Sequence, residues 1–207
     1  MQNEIKEFEG DFQFMDEDEG PQAQAIALWC RYNVWSPDEI EQNTSKIIDI
    51  GCGPGTYVRA FLEQGLNAHG IDPDPRTAEY GDEVQTGSIF DTLNDRYDLV
   101  VCLEVLEHIP LKHTIEAIAQ LRKAVRPGGY LLFSAAHPGQ PGDGHINCQP
   151  LESWTKYIED TGFIRVPSVT QRLKQYVLGA CRHMNWFREN AEFFHLPINA
   201  NDSPRNR

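Results

Sequence analysis

Residues 47–55 read Ile-Ile-Asp-Ile-Gly-Cys-Gly-Pro-Gly, a short apolar strand that runs into a glycine-rich turn. Ile47, Ile48 and Ile50 are β-branched and suit a parallel strand buried on both faces. Gly51, Gly53 and Gly55 carry no Cβ, so the backbone there can turn sharply and lie close against a ligand. Such a loop ends a strand and opens a helix, here Thr56–Gln64, in the position where doubly wound α/β folds bind cofactors. A second strand, Asn67–Ile71, follows and leads into Asp72. A carboxylate at that point accepts hydrogen bonds from both hydroxyls of a ribose.

The same loop discriminates between cofactors. A dinucleotide site wants Gly-x-Gly-x-x-Gly, whose third glycine lets helix and strand pack tightly beneath a pyrophosphate. Tyr57-Val58 fills the region where that glycine would fall, so a pyrophosphate is poorly served. A hydrophobic strand, an acidic residue and Gly-x-Gly-x-Gly instead resemble the first motif of the class I S-adenosylmethionine-dependent methyltransferases. The resemblance extends over residues 46–135. Gly87-Ser88-Ile89-Phe90-Asp91 matches the loop that flanks adenine, although the family usually has Asp where Ser88 stands. Tyr97–Cys102 matches the fourth strand, Glu104-Val-Leu-Glu-His108 the turn after it, and Arg126-Pro-Gly-Gly129 the turn before a fifth strand, Tyr130–Ser134.

The resemblance implies an α/β fold: a doubly wound, Rossmann-like methyltransferase sheet, mostly parallel with an antiparallel last strand and helices on both faces. It implies S-adenosyl-L-methionine as cofactor, held by Asp49, Gly51, Cys52, Gly53, Gly55, Asp72, Pro73, Ser88, Ile89, Leu103 and Glu104. The narrower pattern His-x-Asn-Cys-Gln-Pro from His145, followed by a helix with Trp154, resembles a subgroup of bacterial and phage-type methyltransferases that modify glycans or other small molecules. The expected reaction is methyl transfer to a small-molecule acceptor, at oxygen. A metal-dependent RNA 2′-O-methyltransferase and a non-catalytic S-adenosylmethionine-binding subunit are the alternatives.

Composition is consistent with one domain. The 207 residues are 40% hydrophobic and 24% charged, ordinary for a globular chain with a sizeable core. No apolar run approaches the length of a membrane span, and the acidic N-terminus lacks the basic and apolar regions of a signal peptide. The five cysteines show no Cys-x-x-Cys spacing, which argues against a zinc site or disulfide framework and for a cytoplasmic setting. A net charge of −13 disfavours a polyphosphate partner, so no nucleic acid is expected. Residues 1–20 are acid-rich and read as a mobile solvated arm, 21–198 as the domain, and 199–207 as a disordered tail. Within the domain, Pro21–Asn33 has the spacing of an amphipathic helix, and the family resemblance implies that residues 21–35 cover the cofactor site. Helices are predicted over Lys112–Val125, Pro150–Thr161 and Val169–Asn190, and a closing strand over Glu192–Leu196. No motif sets the oligomeric state.

The chemistry concentrates after the fourth strand. On a helical turn residues 104, 107 and 108 share a face, because side chains three and four apart are neighbours. His108, mostly neutral at pH 7, is the expected general base with Glu107 beside it. A second polar cluster lies on the glycine- and proline-rich loop 136–150, where His137, His145 and Asn147 are expected to line the acceptor pocket. No metal is expected. A divalent ion held by Glu104, Glu107, His108 and His145 is the alternative, since a similar Glu-x-x-Glu-His with a later His occurs in the small-RNA 3′-terminal 2′-O-methyltransferases.

Overall fold

The structure, a computed structural model, describes residues 12–91, 93, 95–181 and 185–198, with side chains from residue 19 onward. Seven strands form one sheet: β1 (Ile47–Ile50), β2 (Ala68–Asp72), β3 (Val84–Thr86), β4 (Tyr97–Leu103), β5 (Val125–Ser134), β6 (Ile164–Arg165) and β7 (Glu192–His195). They lie in the order β3-β2-β1-β4-β5-β7-β6. The pairs β1–β2, β1–β4, β2–β3 and β4–β5 are parallel, and β7 runs antiparallel to both β5 and β6. Strand order reverses between β1 and β4, which opens a crevice at their carboxyl ends. Asp49 of β1 stands opposite Gly70 on one side and Val101 on the other, one residue from that crevice.

Alternation along the strands builds the two apolar layers. Ile47, Leu99 and Val101 point to one face, where they pack with α1 (Phe12–Asn33), α3 (Thr56–Glu63), α6 (Pro167–Ala180) and α7 (Asn185–Asn190). Ile48, Ile50, Val100 and Cys102 point to the other, against α4 (Thr114–Ala124) and α5 (Leu151–Glu159). Side chains in a strand switch faces at every residue, so a run with no polar member must be covered on both sides. A short α2 (Pro37–Glu41) links α1 to the sheet and opens with a capping box: Ser36 accepts from the Glu39 amide, and Glu39 accepts from the Ser36 amide at 2.8 Å.

Several boundaries differ from the sequence reading. The first helix begins at Phe12 and carries Pro21 inside it, so residues 12–20 of the expected mobile arm belong to helical backbone. Proline removes one backbone donor and crowds the preceding turn, which bends a helix without necessarily ending it. Residues 1–11 and the expected tail 199–207 lie outside the described residues. The long helix expected over Val169–Asn190 divides: α6 stops at Ala180, Cys181 is extended at φ −138°, and α7 starts at Asn185. Strand β5 begins at Val125 because a register shift opposite Tyr97–Leu99 keeps the Arg126-Pro-Gly-Gly turn within the ladder. At two residues β6 is too short to carry a periodic signal. All five cysteines are free, and no helix among the described residues is long and apolar enough to cross a membrane.

Candidate active site

The glycine loop takes the conformation its residues predict. Gly51, Gly53 and Gly55 have φ of +80°, +51° and +82°, a region costly to residues with a Cβ. A Cβ on Gly51 would lie 2.4 Å from Cγ2 of Val105. The turn after β4 therefore packs directly on the loop after β1, which joins the predicted cofactor segment to the predicted catalytic one.

Asp72, at the end of β2, is half-buried and already organised. Its Oδ2 accepts from the Gly53 amide and its Oδ1 from the Asp74 amide, both at 2.9 Å. Burial raises its pKa against the pull of those two bonds. Each oxygen keeps a further lone pair for a hydroxyl donor. Asp49 is almost fully buried, and its Oδ2 has no hydrogen-bond partner within the protein. Burial, then the neighbouring charges of Asp72 and Glu19, push its pKa up to about 8. An unpaired buried carboxyl is costly, and a cationic ligand would relieve that cost. These residues thus suit a cofactor with a ribose and a positively charged end.

The other predicted cofactor residues fall around the same crevice. Cys52 is buried with its thiol near the Gly53 carbonyl, and burial pushes its pKa up. Pro73 is exposed. Ser88 follows β3; its amide donates to Asp91 Oδ2 at 2.7 Å, its hydroxyl accepts from the Phe90 amide, and Ile89 beside it is buried. Leu103 packs into the layer beneath α1. Glu104 holds a left-handed conformation, φ +53°, and its amide donates to the carbonyl and hydroxyl of Ser134 on β5. A non-glycine residue in that region stores strain of the kind found at functional sites.

The predicted catalytic residues converge, with one division of labour that the sequence did not reveal. Glu107, His108 and His145 place one donor atom each within 4.8 Å of one another. The His108 and His145 rings meet edge-to-face at 5.0 Å. Burial, then the neighbouring His145, lower the pKa of His108, opposed by a backbone hydrogen bond with Gly144. Glu107 is fully buried; its Oε1 accepts from the Ala136 amide at 3.0 Å and lies 4.0 Å from His145 Nε2, and its Oε2 has no partner. Burial, reinforced by Glu104, raises its pKa well above the ordinary carboxylate value and so disfavours its charged form. Its backbone carbonyl accepts from the amides of Ile146 and Asn147. Glu107 thus anchors the loop 136–150 beneath His108.

Two loop residues do not join that group. Asn147, expected to face the acceptor, is buried, and its amide nitrogen donates to Thr114 Oγ1 at 2.9 Å and to the Leu106 carbonyl. With its carbonyl oxygen accepting from Gln149, Asn147 is a loop clamp. His137 is partly exposed and turns toward α7, 3.5 Å from Glu189. Glu104 lies outside the donor cluster because its carboxylate accepts from Gln140 at 2.6 Å and from Asn190 at 3.2 Å. Asn190 also donates to Gln140 Oε1 at 2.7 Å. Neither Gln140 nor Asn190 was legible as a site residue. Asn190 lies 86 residues along the chain from Glu104, and nothing local in the sequence ties the two together.

A sequence profile described as a methyltransferase domain matches residues 31–191. The ubiquinone biosynthesis O-methyltransferase of Cronobacter sakazakii is 32% identical over 148 residues, which cover 64% of this chain and 55% of that protein. Its counterpart from Aliivibrio fischeri is 30% identical over 102 residues, 43% of each chain. The chain thus spans about half the length of these curated relatives. Among solved structures, a sugar N-methyltransferase from Streptoalloteichus superposes with a TM-score of 0.64 over 94% of this chain and 95% of that one, at 14% identity, a likeness of fold alone. The profile covers well over half of the chain and the strand order agrees with it, so the chain belongs to the class I S-adenosylmethionine-dependent methyltransferase family.

Proposed function

We propose that this protein methylates an oxygen of a small-molecule acceptor, with His108 as general base. When bound, S-adenosylmethionine supplies a methyl group on a cationic sulfur, which leaves the protein to orient the acceptor and remove its proton. Asp49, Asp72 and the glycine loop would hold the cofactor, and the turn carrying His108 packs on that loop through Val105. The observation that carries the reading is the state of His108. Burial and His145 disfavour its imidazolium, and the burial of Glu107 disfavours the carboxylate charge that would restore it. A neutral imidazole beside the cofactor loop is a competent proton acceptor. Glu107 and Asn147 act through it by fixing the loop that carries His145. The strong negative charge of the chain and the names of its relatives support a small acceptor over a nucleic acid. A cytoplasmic setting is part of the same proposal, supported by the free thiols.

The test is His108→Ala, which should lower turnover by about 10²-fold while leaving cofactor affinity within a few-fold. In the unsubstituted enzyme the acid limb of turnover should inflect below the ordinary histidine value of 6.5. Full activity of the variant across pH 6–9 would transfer the role to His145.

One observation favours a second reading. Glu107 keeps a buried, unpartnered Oε2 and groups with His108 and His145, a carboxylate–imidazole set that suits a divalent ion able to orient and acidify a hydroxyl. Chelation decides between the two. Activity indifferent to EDTA supports the metal-free base, and loss reversed by Mg²⁺ or Mn²⁺ supports the ion.

A further inference from the structure

Among the described residues, two buried oxygen acceptors near the cofactor loop have no hydrogen-bond partner in the protein: Oδ2 of Asp49 and Oε1 of Gln22. They come from different elements. Asp49 is the penultimate residue of β1, whereas Gln22 is on α1, outside every motif of the family resemblance. Its side chain is fully buried, and its Nε2 donates to the Tyr57 hydroxyl at 2.7 Å. Tyr57 is the second residue of α3, just past Gly55, and α1 packs along that helix. The Tyr57 phenol feels the carboxylates of Glu19, Asp49 and Glu104. Acceptors from β1, β4 and α1 thus surround the Tyr57 phenol beside the glycine loop.

An oxygen that is buried, unpaired and amidst carboxylates is unfavourable unless a donor arrives. The donor must be compact and cationic. A primary ammonium fits, since it offers three N–H groups around one centre. The family cofactor carries one such group, on its amino-acid end. We infer that Gln22 is a further cofactor-binding residue: its Oε1 accepts from that ammonium together with Asp49, so that α1 recognises the amino-acid end of the cofactor. The inference rests on the cofactor reading and adds a residue from outside the glycine loop. Tyr57 is then a positioning residue, which holds the Gln22 amide in the orientation that leaves Oε1 facing the ligand.

Calorimetric titration of the purified protein tests this with two ligands that share the adenosine and thioether parts. S-adenosylhomocysteine has the amino-acid end; 5′-methylthioadenosine lacks it. Gln22→Met keeps the length of the side chain and removes its acceptor. It should weaken S-adenosylhomocysteine about ten-fold or more, as loss of a hydrogen bond to a charged group implies, and leave 5′-methylthioadenosine within two-fold. Equal weakening of both ligands, or of neither, overturns the inference while the cofactor reading stands. Binding of neither ligand to the unsubstituted protein overturns both. Should Gln22→Met fail to fold, Tyr57→Phe frees the Gln22 amide without opening a cavity. A loss of about three-fold or more confined to S-adenosylhomocysteine then supports the inference, and an equal effect on the two ligands overturns it.

Discussion

At the scale of single residues, the site is held in a costly state. Asp49 is the clearest case: its folded pKa of about 8 stands far above its ordinary 3.8. Between those values the folded protein binds a proton that the unfolded chain has released, so stability falls as pH rises through this window. Asp49→Asn should therefore raise the melting temperature of the ligand-free protein at pH 8 but not at pH 4, and should weaken the cofactor. Each kcal/mol recovered is worth about 2–4 °C in a chain of this size. Scanning calorimetry at the two pH values checks it, and a lower melting temperature at pH 8 would show that Asp49 is compensated within the protein. The strained φ of Glu104 and the unpartnered Glu107 Oε2 belong with Asp49. Stability is commonly sacrificed in this way where function needs an unfavourable group.

At the scale of elements, the long loop 136–150 is positioned from below. On α5, Trp154 is fully buried; its ring meets Phe133 edge-to-face at 6.1 Å, and its indole N–H donates to the Ala136 carbonyl at 3.4 Å. The Ala136 amide in turn donates to Glu107. A core tryptophan and the turn carrying His108 are thus two hydrogen bonds apart. Trp154→Ala should cost about 3–5 kcal/mol in denaturant unfolding. Trp154→Phe should cost less, yet by releasing Ala136 it should lower turnover about three- to ten-fold with cofactor affinity unchanged. Unaltered turnover in a stably folded Trp154→Phe would show that the loop holds its place without this support. Helix α7 contributes from the opposite layer, where Asn190 donates to Gln140 of the loop at 2.7 Å.

At the scale of the whole molecule, net charge is the dominant electrostatic feature. The net charge of −13 sets up self-repulsion that salt screens, because the Debye length shrinks from about 30 Å at 0.01 M to about 8 Å at 0.15 M. The melting temperature should rise over that range of sodium chloride, and a fall would mean that surface ion pairs such as Lys156–Asp160 outweigh the repulsion. What the sequence determined by itself is local: the β-branched strand into Gly51–Gly55, Asp72 at the end of the next strand, and Glu107 beside His108 on the turn after β4, whereas Glu104, left-handed, leaves the shared face that helical spacing predicted for it. These follow from periods of two and 3.6 residues and from backbone conformations that only glycine adopts freely, all readable within a short window. The face-switching apolar runs also pointed to a sheet covered on both sides. Only the tertiary structure decided that His145 meets His108, that Asn147 turns inward, that His137 leaves the cluster for α7, and that Gln140 and Asn190 bind Glu104. Each of these depends on contacts between residues distant along the chain. A polar loop reads the same in sequence whether its side chains face solvent, a ligand or the core, and only packing chooses among the three.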